Sequence, residues 1–462
     1  MSYHKPDPNI KVTLNIDGVS VTVPEGTRIL EAARQANIKI PTLCDHPELC
    51  KRALCRICVV EADGRGKLIA ACANDVWDDV NIVTNNLRLL NVRKTIMELI
   101  LANHPQDCLS CVRNTDCELQ KFALDLGVRS TPFDRCDETP SPEVIEKKIE
   151  EDTIVRDMVK CVKCGRCVEA CQEVQTIRAI NTSHRSHNFA ISSPYRQTLQ
   201  DSNCVFCGKC AEICPVGAIY EHDQTAQVWE ALNNGKKNVI AQITPQDMLG
   251  ETRSFTRALE KELNLDAGAV TVKKIVAALK LLGFNFVADA QIIADACYEG
   301  IQDTNTLPVI TGNSDSVSLF VKNFYPDLAN HYFDNNPRKY FADKVKSIYA
   351  AGANADERNV VSVSFVPCIA GKYSEKRNES DFALTPAELT RMIKLAGIDI
   401  AALPEADFDK LDLPKAAPGK SLTDPLIVHG YAEARKVMED IRKGECKAKR
   451  VHINPKINNL IY

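Results

Sequence analysis

Cysteine recurs at fixed intervals through the first half of this chain, and no other feature limits its possible folds so tightly. Seventeen of the 20 cysteines lie within the first 214 of 462 residues. Cys161, Cys164, Cys167 and Cys171 form a C-x2-C-x2-C-x3-C run, and Cys204, Cys207, Cys210 and Cys214 form a second, followed by Pro215. An isolated buried thiol behaves as a small hydrophobe, but packing gives no reason for such regular repetition. The spacing is that of iron–sulfur ligands, in which the fourth cysteine of each run serves the other cluster of a pair. Cys214 is therefore expected to complete the cluster of Cys161, Cys164 and Cys167. Cys171 should complete that of Cys204, Cys207 and Cys210. Zinc or disulfides would not call for this doubled run.

Two further groups precede the runs. Cys44, Cys55, Cys58 and Cys72 give C-x10-C-x2-C-x13-C, whose central C-x2-C matches the plant-type [2Fe–2S] pattern although the first gap is longer. Upstream, Lys11–Val23 alternates as two strands about Asp17-Gly18, a hairpin signal. Thr27–Gln35 then has helical periodicity, with Ile29, Leu30, Ala33 and Ala36 on one side. Hairpin, helix and cysteine loop suit a β-grasp domain. Zinc is the competing reading of this group, and Cys50 within the loop is a spare thiol that could replace a ligand. His104, Cys108, Cys111 and Cys117 give H-x3-C-x2-C-x5-C. A lone histidine is ordinarily a surface or core residue, but three cysteines at this spacing make His104 a ligand candidate. A neutral imidazole in place of a thiolate makes a cluster less negative and should raise its potential. Fifteen cysteines and one histidine thus make sixteen candidate ligands, enough for four clusters. Cys50, Cys136, Cys297, Cys368 and Cys446 remain unassigned and read as small buried hydrophobes.

A net charge of −4 without a polybasic stretch argues against a nucleic-acid partner. We read no signal peptide, twin-arginine leader or apolar run long enough to span a membrane. Unpaired cysteines in such number fit a reducing, anaerobic cytoplasm. The expected organisation is multidomain, α+β followed by α/β. A β-grasp [2Fe–2S] domain spans 1–85 and a His-Cys [4Fe–4S] domain 86–138. A Pro-, Glu- and Lys-rich linker covers 139–158, a two-cluster ferredoxin domain 159–224 and an α/β domain 225–462. Leu87–Ala102 reads as a helix through Leu90, Ile96, Leu99 and Ile100, whereas little regular structure can be read between Lys160 and Tyr220. In the last domain strand-like runs (Asn238–Ile243, Leu307–Thr311, Val360–Val366) alternate with helical ones (Arg253–Leu263, Val272–Leu282, Pro386–Ala396), the pattern of a largely parallel sheet. Neither G-x-G-x-x-G nor G-x-x-x-x-G-K-[ST] occurs, so no flavin, NAD or ATP site is expected in this chain.

These motifs resemble iron-only ([FeFe]) hydrogenases. The 44–72 and 104–117 groups are similar to that family's N-terminal domains and to those of the large cluster-bearing subunit of respiratory complex I, which implies a [2Fe–2S] cluster at the first and a His-ligated [4Fe–4S] cluster at the second, hence one [2Fe–2S] and three [4Fe–4S] clusters in all. The paired runs are similar to bacterial two-cluster ferredoxins. Ile243-Thr244-Pro245, Val272–Phe284 and Val287–Ala294 resemble the start of the hydrogenase catalytic domain. Val366-Pro367-Cys368-Ile369-Ala370-Gly371-Lys372 resembles its M-P-C-T-A-K-K motif, and Leu384–Leu403 the helix that follows. The active-site residues depart from the pattern. Against T-S-C-C-P-G-W stands Thr311-Gly312-Asn313-Ser314-Asp315-Ser316-Val317, which puts Asn313 at the proton-shuttling cysteine and Ser314 at a ligand of the catalytic H-cluster. Gly371 replaces the lysine that contacts the diiron unit, and Cys368 alone remains of four ligands, a relic by this reading. The C-P-G-G-C ligand pair has no counterpart after the helical stretch Ala432–Ile441, and 411–427 is too short for the family's second lobe.

The resemblance implies a truncated hydrogenase-like domain without an H-cluster, attached to an intact set of electron carriers. It is similar to the hydrogenase-like subunit of Sporomusa-type electron-bifurcating transhydrogenases, which couple NADH, NADPH and ferredoxin. The implied function is electron relay between ferredoxin and flavin- and NAD(P)-binding partner subunits, with the degenerate domain as a docking platform. A relay subunit of a formate dehydrogenase or of a complex I-like NADH dehydrogenase is the alternative, and an active iron-only hydrogenase a remote one.

Overall fold

The computed structural model describes residues 6–49, 53–63, 68–134, 149–151, 153–185, 188–243, 251–289, 307–312, 314–333, 339, 341–373, 381–410 and 426–454. They divide into two compact units. One comprises Met1–Glu150, Val155–Thr198 and Lys209–Tyr220; the other comprises Glu151–Ile154, Leu199–Gly208 and Glu221–Tyr462.

The N-terminal unit starts with the predicted hairpin. Strands β1 (Lys11–Ile16) and β2 (Val19–Pro24) pair antiparallel with Ile16 opposite Val19. Asp17 and Gly18 both take positive φ, at 48° and 87°, which matches the twist of a two-residue hairpin. Alternation buries Val12, Leu14 and Ile16 on one face. Strands β3 (Val59–Ala62), β4 (Leu68–Ala70) and β5 (Asn81–Val83) complete a sheet ordered β2-β1-β5-β3-β4, with β1 and β5 parallel. Helix Ile29–Gln35 lays Ile29, Leu30, Ala32 and Ala33 on that sheet, giving the β-grasp arrangement.

Helix Leu87–Ala102 has the predicted bounds and is capped by Asn86, whose side chain accepts from Leu89 N at 2.8 Å. Its buried stripe, however, is Leu89, Arg93 and Met97, at intervals of four, while Leu90 and Leu99 stay exposed. Of the four predicted apolar positions Ile96 and Ile100 do pack against the core beside Met97, while the centre of the buried stripe carries an arginine that apolar spacing does not reveal. Helix Glu118–Asp125 follows. Of the predicted linker, residues 149–151 and 153–158 are described. They include a short hairpin, β6 (Ile149–Glu150) with β7 (Ile154–Arg156), so that end of the segment is structured. The cysteine-rich stretch also carries regular structure that its sequence did not announce. It holds the hairpin β8 (Asn181–Ser183) with β9 (Ala190–Ser192), the four-residue helices Arg166–Glu169 and Lys209–Glu212, and strand β10 (Ile219–Glu221).

The C-terminal unit contains two parallel sheets. In the first, β11 (Asn238–Ile243), β12 (Phe286–Asp289), β14 (Val360–Phe365) and β15 (Phe382–Leu384) take the order β12-β11-β14-β15. Ala241, Ile243, Val363 and Phe365 of this sheet pack against Phe255 and Leu259 of helix Glu251–Glu262, Ile275 and Leu279 of helix Val272–Leu281, and Leu389 and Met392 of helix Pro386–Leu395. In the second, β13 (Val309–Gly312), β16 (Leu426–His429) and β17 (Arg450–Asn454) take the order β13-β17-β16, with β17 central. Residues 411–425, where a second lobe is expected to be curtailed, lie outside the described residues. A reduced, three-stranded sheet is present, assembled from distant short strands.

A buried ion pair holds the start of helix Pro386–Leu395. Lys372 Nζ lies 2.7 Å from Glu388 Oε1, with both side chains 0% exposed, and also donates to His222 O at 2.7 Å. Glu388 accepts from Gln224 N and Thr385 N, both at 2.8 Å. Burial, with Glu388 nearby, pushes the Glu221 carboxyl above its usual range, while Lys372 partly opposes the shift. Lys372→Met would leave Glu388 without its counter-charge. It is expected to lower unfolding stability by about 3–5 kcal/mol, read as an earlier transition in urea.

Candidate iron–sulfur sites

The four cysteines of the β-grasp group converge. Cys58 Sγ and Cys72 Sγ are 3.3 Å apart, and Cys55 N donates to Cys44 Sγ at 3.5 Å. Hydrogen bonds from the Cys55 and Cys72 thiols hold Cys44 well below the usual thiol range, and the same contacts push Cys55 and Cys72 up. Protons cannot all leave four adjacent thiols unless a cation replaces them, and the ferric irons of a cluster would supply that charge. Arg93 lies buried beside this loop, donating to Ile57 O, Val59 O and Thr84 O at 3.2, 2.7 and 2.8 Å.

In the next group burial holds His104 below its usual value, in the neutral form that can ligate a metal, and its Nδ1 is buried without a hydrogen-bond partner. Cys108 is exposed, whereas Cys111 and Cys117 are half-buried. Gly217 makes room for Cys111, since a Cβ there would sit 2.9 Å from Cys111 Sγ.

Cys161, Cys164, Cys167 and Cys214 line one cavity with Met158, Ile191, Pro215 and Val216. The fourth cysteine of the second run thus lines the same cavity as three cysteines of the first. Burial pushes the Cys161 thiol up to about 12 and Cys164 and Cys167 upward as well, so occupancy by a cluster would have to expel protons. Backbone amides are aimed at several sulfurs. Lys163 N donates to Cys161 at 3.3 Å, Ala179 N to Cys171 at 3.2 Å and Phe206 N to Cys204 at 3.4 Å. Arg56, Lys163 and Phe206, each inside a C-x2-C loop, take left-handed φ of 63°, 55° and 53°. Such backbone is uncommon away from glycine and collects where function fixes a loop. Cys171 and Cys210 belong to the N-terminal unit, Cys204 and Cys207 to the C-terminal one. Among the described residues no three His, Cys, Asp or Glu side chains converge as ligands of a single ion do. Cluster ligands bind different irons of one core and need no such convergence. The donor set fits iron–sulfur clusters.

In the C-terminal unit, Leu199–Gly208 rests on the loop that carries Cys368. Phe206 stacks on Tyr373 with centroids 4.4 Å apart and planes 4° apart, and Ile369 occupies the space a Cβ on Gly208 would need. Ser316 Oγ donates to Val205 O and pairs with the buried Tyr431 hydroxyl at 2.5 Å. Ser314 Oγ is buried with no hydrogen-bond partner. A Cβ on Gly371 would lie 2.7 Å from Val366 Cβ, so Val366 fills the place of any side chain there. Cys50, Cys136, Cys297 and Asn313 fall outside the described residues. Gly217 and the packing around Phe206 had no sequence signal, because both depend on contacts between distant segments.

Residues 237–423 match the model of the iron-only hydrogenase large subunit, C-terminal domain. Residues 9–87 match a 2Fe-2S iron-sulfur cluster binding domain, 93–132 the NADH-ubiquinone oxidoreductase-G iron-sulfur binding region, and 143–218 a 4Fe-4S dicluster domain. The NADP-reducing hydrogenase subunit HndD of Solidesulfovibrio fructosivorans is 35% identical over 426 residues, covering 86% of this chain and 71% of that protein. Iron hydrogenase 1 of Clostridium pasteurianum is 30% identical over 417 residues, covering 86% and 70%. The chain belongs to the iron-only hydrogenase large-subunit family. An NADH-quinone oxidoreductase subunit of Streptomyces coelicolor is 38% identical over 140 residues, 29% of this chain and 17% of that protein. As a member of the hydrogenase family the chain combines 2Fe-2S and 4Fe-4S domains with a hydrogenase-like domain. No helix among the described residues is long and apolar enough to cross a membrane.

Gly217→Val should displace Cys111 Sγ. Chains carrying it are expected to lose about four iron atoms on reconstitution, while the visible absorption of the [2Fe–2S] centre persists.

Proposed function

We propose that this chain is a cytoplasmic electron-transfer subunit of an electron-bifurcating transhydrogenase complex. It relays electrons between ferredoxin and flavin- and NAD(P)-binding partner subunits and does not activate hydrogen. Cys44, Cys55, Cys58 and Cys72 hold a [2Fe–2S] cluster. His104, Cys108, Cys111 and Cys117 hold one [4Fe–4S] cluster, Cys161, Cys164, Cys167 and Cys214 a second, and Cys204, Cys207, Cys210 and Cys171 a third. Bound clusters supply one-electron carriers; the chain's own residues bury them, donate amides to their sulfurs and fix their spacing.

The observation that carries the reading is a contrast between two sites. Four cysteines line a cavity at Cys161–Cys214, whereas the former catalytic site retains Cys368 alone among the compared ligand positions. Serine is a poor iron ligand and one thiolate cannot hold a cubane, so the residues present do not fit an H-cluster. The likeness to a subunit of an NADP-reducing hydrogenase supports a nucleotide-linked complex. The likeness to an NADH-quinone oxidoreductase is confined to a smaller part of the chain, which favours the transhydrogenase over a complex I-like assembly.

The reconstituted chain should bind about 14 iron atoms and accept electrons from dithionite or reduced ferredoxin. It should neither evolve nor oxidise hydrogen and should not reduce NAD or NADP by itself. Nucleotide-linked turnover is expected only after flavin-bearing subunits are added. Hydrogen or nucleotide turnover by the pure single chain would overturn the relay reading. Changing His104 to cysteine should retain its cluster and lower its midpoint potential, because the added thiolate charge disfavours reduction. A spectroscopic titration in which no centre moved would exclude His104 as a ligand.

A further inference from the structure

Arg166 and Lys209 occupy the same position in the two runs, Cys164-Gly165-Arg166-Cys167 and Cys207-Gly208-Lys209-Cys210. Their side chains are only 5% and 3% exposed, although such residues normally keep their charge in water. Arg166 Nη1 and Nη2 grip the two carboxylate oxygens of Glu118 at 2.7 and 2.8 Å, and Nη2 also donates to Asp45 O at 3.0 Å. Lys209 Nζ reaches the same loop three residues further on, 3.5 Å from Glu48, and lies 3.6 Å from Glu212. The Asp45 carboxylate is occupied separately by Arg34, at 2.7 Å.

The sequence positions of these partners give the contacts their meaning. Asp45 follows Cys44, Glu118 follows Cys117, and Arg166 lies between Cys164 and Cys167. From inside one ligand group, this guanidinium is thus bonded to neighbours of ligands from two others, all within the N-terminal unit. A bidentate arginine–carboxylate pair is rigid, so it fixes spacing as well as charge. Glu118 is 42% exposed and its field is screened by water, whereas the buried cation acts on its surroundings through a medium of lower dielectric.

We propose that Arg166 is the positioning residue of the relay's N-terminal junction. It holds the [2Fe–2S] loop, the His104 group and the Cys161–Cys214 group at one spacing, and its charge raises the reduction potential of the centres beside it. The inference rests on the ligand assignments of the proposed function. Reduction adds negative charge to a cluster, and a fixed cation nearby favours that state.

The test is a redox titration of the reconstituted full chain followed by electron paramagnetic resonance. Arg166→Gln is expected to shift the midpoints of the [2Fe–2S] and Cys161–Cys214 centres downward and to weaken the magnetic interaction between them. Arg166→Lys, which keeps the charge, should restore the midpoints but not the interaction. Glu118→Gln, which removes the counter-charge, should move the midpoints upward. Unmoved midpoints in an Arg166→Gln chain with full iron would overturn the inference and leave the relay reading intact. If that variant fails to assemble, unmoved midpoints in Glu118→Gln overturn it equally. A wild-type chain lacking both signals would overturn the ligand assignments, and this inference with them.

Discussion

A buried thiol is a poor anion, yet only the thiolate binds iron, and the N-terminal unit is organised around that conflict. Burial drives Cys161, Cys164 and Cys167 toward their neutral forms, and the nearby Arg166 and Lys163 oppose that shift at Cys164 and Cys161 without overcoming it. The fold also supplies geometry. Loops in left-handed backbone aim amides at sulfur, and Cys214 is carried back to the first run. The apolar residues nearby, among them Leu43, Ile57, Met97 and Leu119, pack with Cys55, Cys117, Cys161 and Cys214 in one cluster. The hydrophobic core and the ligand loops are therefore the same structure, so metal content and folding are coupled.

The hydrogenase-like unit carries contacts that do not depend on any catalytic cluster. Val366 fills the side-chain space at Gly371, and the Cys368 loop supports Phe206 and Gly208 from the second cysteine run. That contact gives the domain a use independent of any catalytic cluster, because Cys204 and Cys207 belong to the segment it supports. It adds a structural reason for retention to the docking role drawn from the sequence.

Legibility in the sequence followed the range of the interactions. Cysteine spacing is local chemistry, so the 2Fe-2S and 4Fe-4S domains were readable, as were the hairpin at Asp17-Gly18 and strand Asn238–Ile243. The buried face of Leu87–Ala102 was legible only in part: Ile96 and Ile100 pack inward, but Arg93 satisfies three carbonyls inside the protein, which no apolar count anticipates. The second parallel sheet was missed because its strands are only four or five residues long and are separated by long segments. Gly217 beside Cys111 and Glu118 beside Arg166 are likewise pairings between distant segments.

The strand order of that sheet also dictates when it can form. β17 is the last of its three strands in sequence and the middle one in space, and Thr311 meets His452 across 141 residues. β13 and β16 share no edge, so neither has a partner in the sheet until residue 454 has left the ribosome. Ser316 and Tyr431, which bond to the Leu199–Gly208 segment and to each other, lie on helices Asp315–Phe324 and Gly430–Arg442 that pack on this sheet, so that part of the segment's support is completed with it. The last strand made is thus a checkpoint. A chain cut short before it leaves the support of its second cysteine run unfinished.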